Sequence, residues 1–142
     1  MASGLIPIGG AAFTGLICYY GRESTSSSAT WNNTVYGFVR DYLSYSSGVF
    51  TVLKDFDADV FIYGKGSYKQ ASGGGGRKLA YSLKKTSSGT TTTILSGTVT
   101  ATGSGTNSAS VSFKAGDTFE LTVTFDGTGT CGTQCGFIMS AA

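Results

Sequence analysis

Three aspartates at alternate positions, Asp55, Asp57 and Asp59, form the densest acidic group in the sequence. In an extended strand, residues two apart point to the same side, so these carboxylates repel one another unless a cation, basic neighbours or a turn separates them. A calcium-binding EF-hand loop that begins at Asp55 requires glycine at its sixth position and glutamate at its twelfth, where this chain has Val60 and Gly66. The pattern therefore favours a solvated hairpin turn over a calcium site, and we predict no metal.

Residues suited to acid–base or nucleophilic catalysis are scarce. The chain has no histidine, the commonest general base, and only eight acidic residues. No serine lies in a Gly-x-Ser-x-Gly nucleophile elbow. The glycine-rich stretches at 73–76 and 103–105 are followed neither by a helix pattern nor by a Lys-Ser/Thr pair, so they predict loops rather than phosphate sites. We therefore expect no enzymatic activity and no cofactor.

The three cysteines allow two interpretations. Cys131 and Cys135 are close enough in sequence to close a small disulfide loop, which leaves Cys18 buried in a strand. Three reduced thiols are an equally good interpretation for a chain made in the cytosol. A zinc site needs a fourth ligand, and none is evident in the sequence.

Aromatic residues are the best candidates for contacts with other molecules. The chain has eight tyrosines, nine phenylalanines and one tryptophan, more rings than one small core needs. Those outside the core suit a sugar-stacking surface or a subunit interface. We single out Trp31, which lies in a polar stretch, together with Tyr45 and Tyr68, as possible surface ligand contacts. The alternative for Trp31 is a ring folded back onto the end of the domain.

Composition indicates an all-β protein of one domain. Charged residues make up only 13% of the 142 residues, whereas Gly, Ser and Thr fill the polar positions. Val, Thr, Tyr and Phe are abundant, and such side chains suit a pleated, half-buried surface. The formal net charge of +2 is too small to predict a nucleic-acid or membrane surface.

The first fifteen residues differ from the remainder. They are apolar but carry no basic leader, and Pro7 and several glycines interrupt them, so we expect neither a signal peptide nor a membrane span. We predict an extended N-terminal arm over residues 1–15 and a single β-sandwich domain over residues 16–142. A surface-type composition without an export signal is typical of virion proteins of bacterial viruses, so we expect location at a virion surface.

About nine short strands follow from runs of β-branched and aromatic residues between polar turns. A hairpin is expected from the runs Val49–Leu53 and Ala58–Tyr63, which a short connection joins. The run from Thr118 to Phe125 alternates, which places Phe119, Leu121, Val123 and Phe125 on one face. Turn signals every eight to twelve residues predict an antiparallel sandwich or barrel. The predicted strands are Leu16–Tyr20, Val35–Leu43, Val49–Leu53, Ala58–Tyr63, Leu79–Lys84, Thr91–Thr100, Ala109–Phe113, Thr118–Phe125 and Phe137–Ser140.

The C-terminal third resembles a known family. The segment 113–123 reads Phe-Lys-Ala-Gly-Asp-Thr-Phe-Glu-Leu-Thr-Val, and 135–139 reads Cys-Gly-Phe-Ile-Met. Both are similar to late elements of complement globular heads and tumour-necrosis-factor-like jelly rolls, and the predicted 49–63 hairpin is similar to a middle element of that family. The resemblance, which extends to small virion proteins of tailed bacteriophages, implies a jelly roll that assembles as a homotrimer. It implies no catalytic residues.

The resemblance also suggests a role for the arm. If three jelly rolls pack about an axis, the apolar arm becomes an anchor onto a partner or a neighbouring subunit, through Leu5, Ile6, Ile8 and Phe13. The leading functional hypothesis is a capsid decoration or head-fibre protein that binds other virion proteins, such as the major capsid protein. The alternatives are the receptor- or glycan-binding tip of a tail fibre, and a filament subunit that donates its arm as a strand.

Overall fold

The computed structural model describes residues 15–24, 32–67, 78–100, 104–126 and 132–142, which form an antiparallel β-sandwich. The strands of these residues are β1 Leu16–Ser24, β2 Asn32–Phe38, β3 Leu43–Ser46, β4 Val49–Val52, β5 Phe56–Ser67, β6 Lys78–Ser87, β7 Thr90–Thr100, β8 Ser104–Phe113, β9 Thr118–Asp126 and β10 Gly132–Ala141. The predicted all-β sandwich is confirmed. Within the described part of the chain, no helix is long and apolar enough to cross a membrane.

The strands form two sheets of five. Sheet A has the order β2-β1-β10-β5-β8, and sheet B has the order β3-β4-β9-β6-β7. Neighbouring strands within each sheet are antiparallel throughout. Most hydrogen-bonded neighbours are distant in sequence, so long-range pairing rather than local hairpins builds the sandwich.

The predicted strand Val35–Leu43 covers the end of β2, the crossing from sheet A to sheet B and the first residue of β3. β2 ends at Phe38, and the N–H of Val39 donates to the carbonyl of Ile17 at 2.9 Å. The N–H of Leu43 then donates back to the carbonyl of Val39 at 3.0 Å, which turns the chain into β3. The prediction therefore joined two strands that belong to different sheets.

The predicted 49–63 hairpin is wrong for the same reason. β4 pairs with β3 and β9, whereas β5 pairs with β10 and β8, so the connection from 53 to 55 passes between sheets. A short polar connection between two apolar runs can belong to a hairpin within one sheet or to a crossing between sheets. Only the pairing of each strand with strands far along the chain distinguishes the two.

The core consists of the inward-facing residues of both sheets and is rich in phenylalanine. The rings of Phe50 and Phe119 stack with centroids 5.1 Å apart, and Phe137 meets Phe50 edge-on at 6.0 Å. All three side chains are buried. Pairs of this kind add about 0.5–1.5 kcal/mol each beyond the burial of their area. The alternation predicted for β9 is confirmed for Phe119 and Leu121, which are buried, while Glu120 between them is exposed.

The two ends of the sandwich differ. One end, called the apex, holds the strand ends Ser24, Asn32, Ser67, Lys78, Thr100, Ser104, Asp126 and Gly132, as the register of their strands shows. The other end, called the base, holds Gly15 and the C-terminal Ala142, together with the turn at 114–117. The first and the last described residues therefore lie together at the base.

Candidate self-association surface

The outward face of sheet A carries a cluster of apolar side chains that the core does not use. Its members, called the aromatic face, are Tyr19, Tyr36, Phe61, Tyr63 and Ile138. Tyr36 is 60% exposed and Phe61 is 39% exposed, which is unusual for rings of this size. The other three side chains are half-buried.

Strand register brings these residues together from four strands. Tyr19 of β1 lies opposite Ile138 of β10, which in turn lies opposite Phe61 of β5. A bulge between β1 and β2 falls at Tyr36, and the rings of Tyr19 and Tyr36 pack with centroids 4.4 Å apart. Phe61 and Tyr63 follow each other on the same side of β5, with centroids 6.4 Å apart. Side chains two apart on a strand share a face, so this cluster follows directly from the pairing.

Two glycines form the floor under the tyrosine rings. Gly21 and Gly136 are directly opposite each other, and Gly136 is also opposite Tyr63. A Cβ on Gly136 would lie 2.6 Å from the Tyr63 hydroxyl oxygen, and one on Gly21 would lie 3.2 Å from Cε2 of Tyr36. Because neither glycine has a side chain, the rings of Tyr63 and Tyr36 can lie close to the backbone of the sheet at these positions.

The Tyr63 hydroxyl, which is hydrogen-bonded to the side chain of Tyr19, is held in its neutral form. Burial, a hydrogen bond with the side chain of Tyr19 and the nearby Tyr36 all raise the pKa of Tyr63 above its usual value. Neutral phenols can be covered by a protein partner at a lower desolvation cost than charged groups. The aromatic face thus combines apolar area with a few uncharged donors and acceptors, as protein interfaces do.

The outward face of sheet B provides a contrast within the same molecule. Its cross-strand pairs include Ser82 with Thr122 and Lys84 with Glu120. The central outward positions of this sheet are Ala80, Ser82, Lys84, Ser96, Thr98, Glu120, Thr122 and Thr124. Small and polar side chains of this kind suit contact with water. The outer face of sheet A is mixed instead, because the aromatic face is followed along β5 by Asp59 and Asp57 on the same side.

Asp55, Asp57 and Asp59 have structural partners. The hydroxyl of Ser112 donates to Asp57 at 2.7 Å and that of Ser110 donates to Asp59 at 2.8 Å, both from the neighbouring strand β8. Asp55 accepts a hydrogen bond from the N–H of Ala115 and lies 3.8 Å from the ammonium of Lys114. The carboxylates are exposed, as expected, but Asp57 and Asp59 stand on a long strand rather than in the predicted hairpin turn. Among the described residues, no three potential ligands are grouped to hold a metal ion.

Cys18 and Cys135 are free cysteines that are buried in the core. Burial raises the pKa of the Cys135 thiol to about 12, so the reactive thiolate is scarce at neutral pH. Cys131 lies outside the described residues, so its predicted bridge to Cys135 stays a prediction.

Tyr45 is the one predicted ligand contact that the structure describes, and its ring points between the sheets. It packs on Phe50 with centroids 4.7 Å apart and is hydrogen-bonded to Tyr20, whose pKa is raised by burial and by this bond. Its half-buried position at the edge of the core accounts for its presence without a ligand. Trp31 and Tyr68 lie outside the described residues, as do the arm residues Leu5, Ile6, Ile8 and Phe13.

Sequence reasoning did not identify the aromatic face. The signal was present, because Phe61 and Tyr63 interleave with the core residues Val60 and Ile62, so that β5 is apolar on both sides. A strand covered by water on one face normally alternates, whereas one buried on both faces reads as a continuous apolar run. The run at 60–63 thus indicated that this part of β5 has apolar side chains on both faces.

Comparison with known proteins adds the name of the fold. The sequence matches no protein-family model and none of the curated proteins. The structure is similar to the globular domain of zebrafish complement 1qA protein, with a TM-score of 0.54 and 14% identity over 88% of this chain and 96% of that one. It is also similar to Eiger TNF from S. frugiperda, with a TM-score of 0.53 and 13% identity over 90% and 94% of the two chains. Murine APRIL at pH 8.0 gives a TM-score of 0.51 and 11% identity over 87% and 98%.

These similarities span nearly the whole of each known domain. At such low identity they establish the fold, which is the jelly roll of tumour-necrosis-factor-like and complement globular-head domains. The fold expected from segments 113–123 and 135–139 is therefore confirmed.

Proposed function

We propose that the protein is a non-enzymatic accessory protein of a virion surface, acting as a capsid decoration or head-fibre protein, and that it assembles as a homotrimer through the aromatic face. The observation that carries the assembly is the exposure of Tyr36 and Phe61 on the outer side of sheet A. The virion setting rests on the composition of the chain and on its sequence resemblance to small proteins of tailed bacteriophages.

Self-association explains why sheet A carries a cluster of rings on its outer face while the central outer positions of sheet B are small or polar. Contiguous exposed apolar patches are uncommon on monomers and mark interaction sites, and aromatic residues are enriched at the centres of interfaces. A ring of three copies with their aromatic faces towards a common axis would bury Tyr36 and Phe61 in each copy and leave sheet B in water. A closed ring also keeps the assembly finite. Each copy contacts its two neighbours in the same way, so the third copy closes the ring and leaves no free interface.

Assembly through sheet A leaves both ends of each sandwich available. The described chain begins at the base with Gly15, and the residues that precede it in sequence include Leu5, Ile6 and Ile8, the proposed anchor to a virion partner such as the major capsid protein. The strands that flank Trp31 and Tyr68 end at the apex, so a host-surface glycan bound by a fibre tip is the alternative ligand. Both roles use one trimer with an attached end and a free end.

The decisive measurement is the native mass of the purified protein by light scattering, compared with that of Phe61→Lys. We expect the wild type close to three times 14.6 kDa at micromolar concentration. Phe61→Lys should be monomeric, because the interface would have to bury an unpaired ammonium at a cost of several kcal/mol.

The matched control is Thr124→Lys, which places the same charge at an exposed position of a central strand of sheet B. It should keep the trimeric mass, and both variants should keep the circular dichroism of a folded β protein. A monomeric wild type, or a trimeric Phe61→Lys, would remove the aromatic face from the proposal.

A further inference from the structure

A small polar hollow lies on the outer face of sheet A, at the apex end of the aromatic face. Its lining includes Gly21, Glu23, Thr34, Tyr36, Tyr63 and Gln134. A Cβ on Gly21 would lie 3.2 Å from Cε2 of Tyr36 and 3.4 Å from the Tyr63 hydroxyl, so the hollow exists because β1 has a glycine at this position. Its volume of about 10 Å³ is enough for about one water-sized group.

The groups around the hollow suit a cation. The carboxylate of Glu23 is exposed, and the side chains of Thr34 and Gln134 offer further oxygen acceptors. The ring of Tyr36 adds an aromatic surface of the kind that attracts ammonium groups. A lysine ammonium is a compact charge with three donors and no acceptor. The chemistry and the size of the hollow therefore fit the end of a lysine side chain.

Lys65 carries the matching charge at the same level of the sheet. Glu23 of β1 is opposite Gln134 of β10, which is opposite Lys65 of β5. Lys65 is exposed and faces outward, because the preceding Gly64 faces inward beneath the ring of Tyr81. Two strand spacings, about 10 Å, separate the backbones of Glu23 and Lys65 within one chain. In the part of the chain that the structure describes, neither of them forms an ion pair.

Rotation about an axis along the strands brings these two charges together between copies. β10 is the middle strand of sheet A, so Glu23 and Lys65 lie on opposite sides of the sheet's midline. In a ring with such an axis, every residue keeps its own level, and the β5 side of one copy meets the β1 side of the next. Lys65 of each copy then lies level with Glu23 of its neighbour, at every interface of the ring.

We propose that the Lys65 ammonium of one copy occupies the hollow of the next copy and pairs with Glu23 there. The inference rests on the proposed trimer and deepens it, because the pair fixes which sides of neighbouring copies meet and makes all apices point the same way. Charges at the rim of an interface mainly set its orientation and register. A face-to-face pair of copies with opposite strand directions would instead bring Lys65 to Asp59, whose carboxylate already accepts a hydrogen bond from Ser110 at 2.8 Å.

The first test follows the native mass by light scattering as the protein is diluted. Glu23→Lys and Lys65→Glu should each raise the concentration at which the trimer dissociates by about tenfold, because like charges then meet at every interface; tenfold corresponds to about 1.4 kcal/mol. The double variant, Glu23→Lys with Lys65→Glu, should recover most of the lost association. Glu120→Lys, an equal change of charge on the outer face of sheet B, should assemble as the wild type does.

The second test needs no variant. A water-soluble carbodiimide activates a carboxyl group, and an amine in contact with it displaces the urea and forms an amide, here between Nζ of Lys65 and the side chain of Glu23. Isotopically labelled and unlabelled chains are mixed in dilute solution, concentrated and then cross-linked. Mass spectrometry of the digested protein should find the Lys65–Glu23 peptide with one labelled and one unlabelled half.

The outcomes separate this pair from the trimer itself. A trimeric wild type without Lys65–Glu23 cross-links between chains, or single variants that dissociate as the wild type does, would overturn the pair and leave the trimer standing. Lys65 cross-linked to Asp59 in a particle of two chains would overturn both the pair and the ring. A wild type that is monomeric at every concentration would remove the proposed assembly and this inference with it.

Discussion

Asp117 is the buried carboxylate of the described residues, with 3% of its surface exposed. Its Oδ2 accepts a hydrogen bond from the N–H of Lys114 at 2.9 Å, which closes the turn between β8 and β9. Burial alone raises the pKa of this group, but the hydrogen bonds from Lys114 and Ser87 and the charges of Lys85 and Lys114 outweigh burial and hold the pKa below its usual value. A residue that lies between two predicted strands, Ala109–Phe113 and Thr118–Phe125, thus holds the junction of β8 and β9 at the base.

Asp117→Asn should therefore change how stability depends on pH. A carboxylate whose folded pKa is lowered stabilises the fold above its unfolded pKa of about 3.9, and that contribution is lost as the pH falls through the folded value. We expect the variant to be less stable than the wild type at pH 7 by about 1–3 kcal/mol, and the difference to shrink below pH 4. Thermal melting between pH 7 and pH 2.5 measures it.

The control is Glu120→Gln, which removes an equal charge from the outer face of sheet B. Its melting temperature should stay close to that of the wild type over the same range. A constant gap between wild type and Asp117→Asn down to pH 2.5 would mean that the carboxylate contributes through its shape and not its charge.

At the scale of strands, local sequence patterns predicted which segments form strands better than they predicted which strands pair with each other. The alternation of β9 was sufficient to identify its inner face, because a single buried face imposes a period of two. The hairpin from 49 to 63 failed because β4 and β5 find their partners in β9 and β10, which lie far along the chain. The aromatic face was missed for a related reason: its members come from four strands, and only the register places Tyr19, Ile138 and Phe61 in one row.

Gly64 lies just beyond the end of the predicted strand Ala58–Tyr63. In the structure it falls inside β5 and faces inward beneath the ring of Tyr81. The Tyr81 hydroxyl crosses to sheet A and donates to the carbonyl of Gly105 at 3.1 Å. A side chain at Gly64 would overlap this ring, so glycine is required for the two sheets to approach.

Gly64→Ala should consequently destabilise the domain by about 1–3 kcal/mol, the usual cost of overpacking a core. Gly37→Ala is the matched control, because Gly37 also lies in a strand of sheet A but a Cβ there would meet no atom within 4 Å. Urea unfolding of both variants gives the comparison. Equal midpoints for the two would show that the Tyr81 ring moves aside without cost.

At the scale of the whole molecule, the proposed roles belong to three separate regions. The aromatic face lies on the side of the sandwich, the described chain begins at the base, and the strands flanking 25–31 and 68–77 end at the apex. Because the side surface is built from β1, β2, β5 and β10, its residues are in place without the arm. Assembly and attachment should therefore be separable, which distinguishes the trimer from a filament held together by exchanged arms.

Deleting residues 2–13 tests that separation. We expect the shortened chain to keep a native mass near three times its own, because every residue of the aromatic face and every strand of sheet A remains. Removal of the arm should instead abolish binding to empty capsids, measured by co-sedimentation with the full-length protein as the positive control. If the shortened chain becomes monomeric, the arm itself joins the subunits, and arm exchange replaces the aromatic face as the basis of assembly.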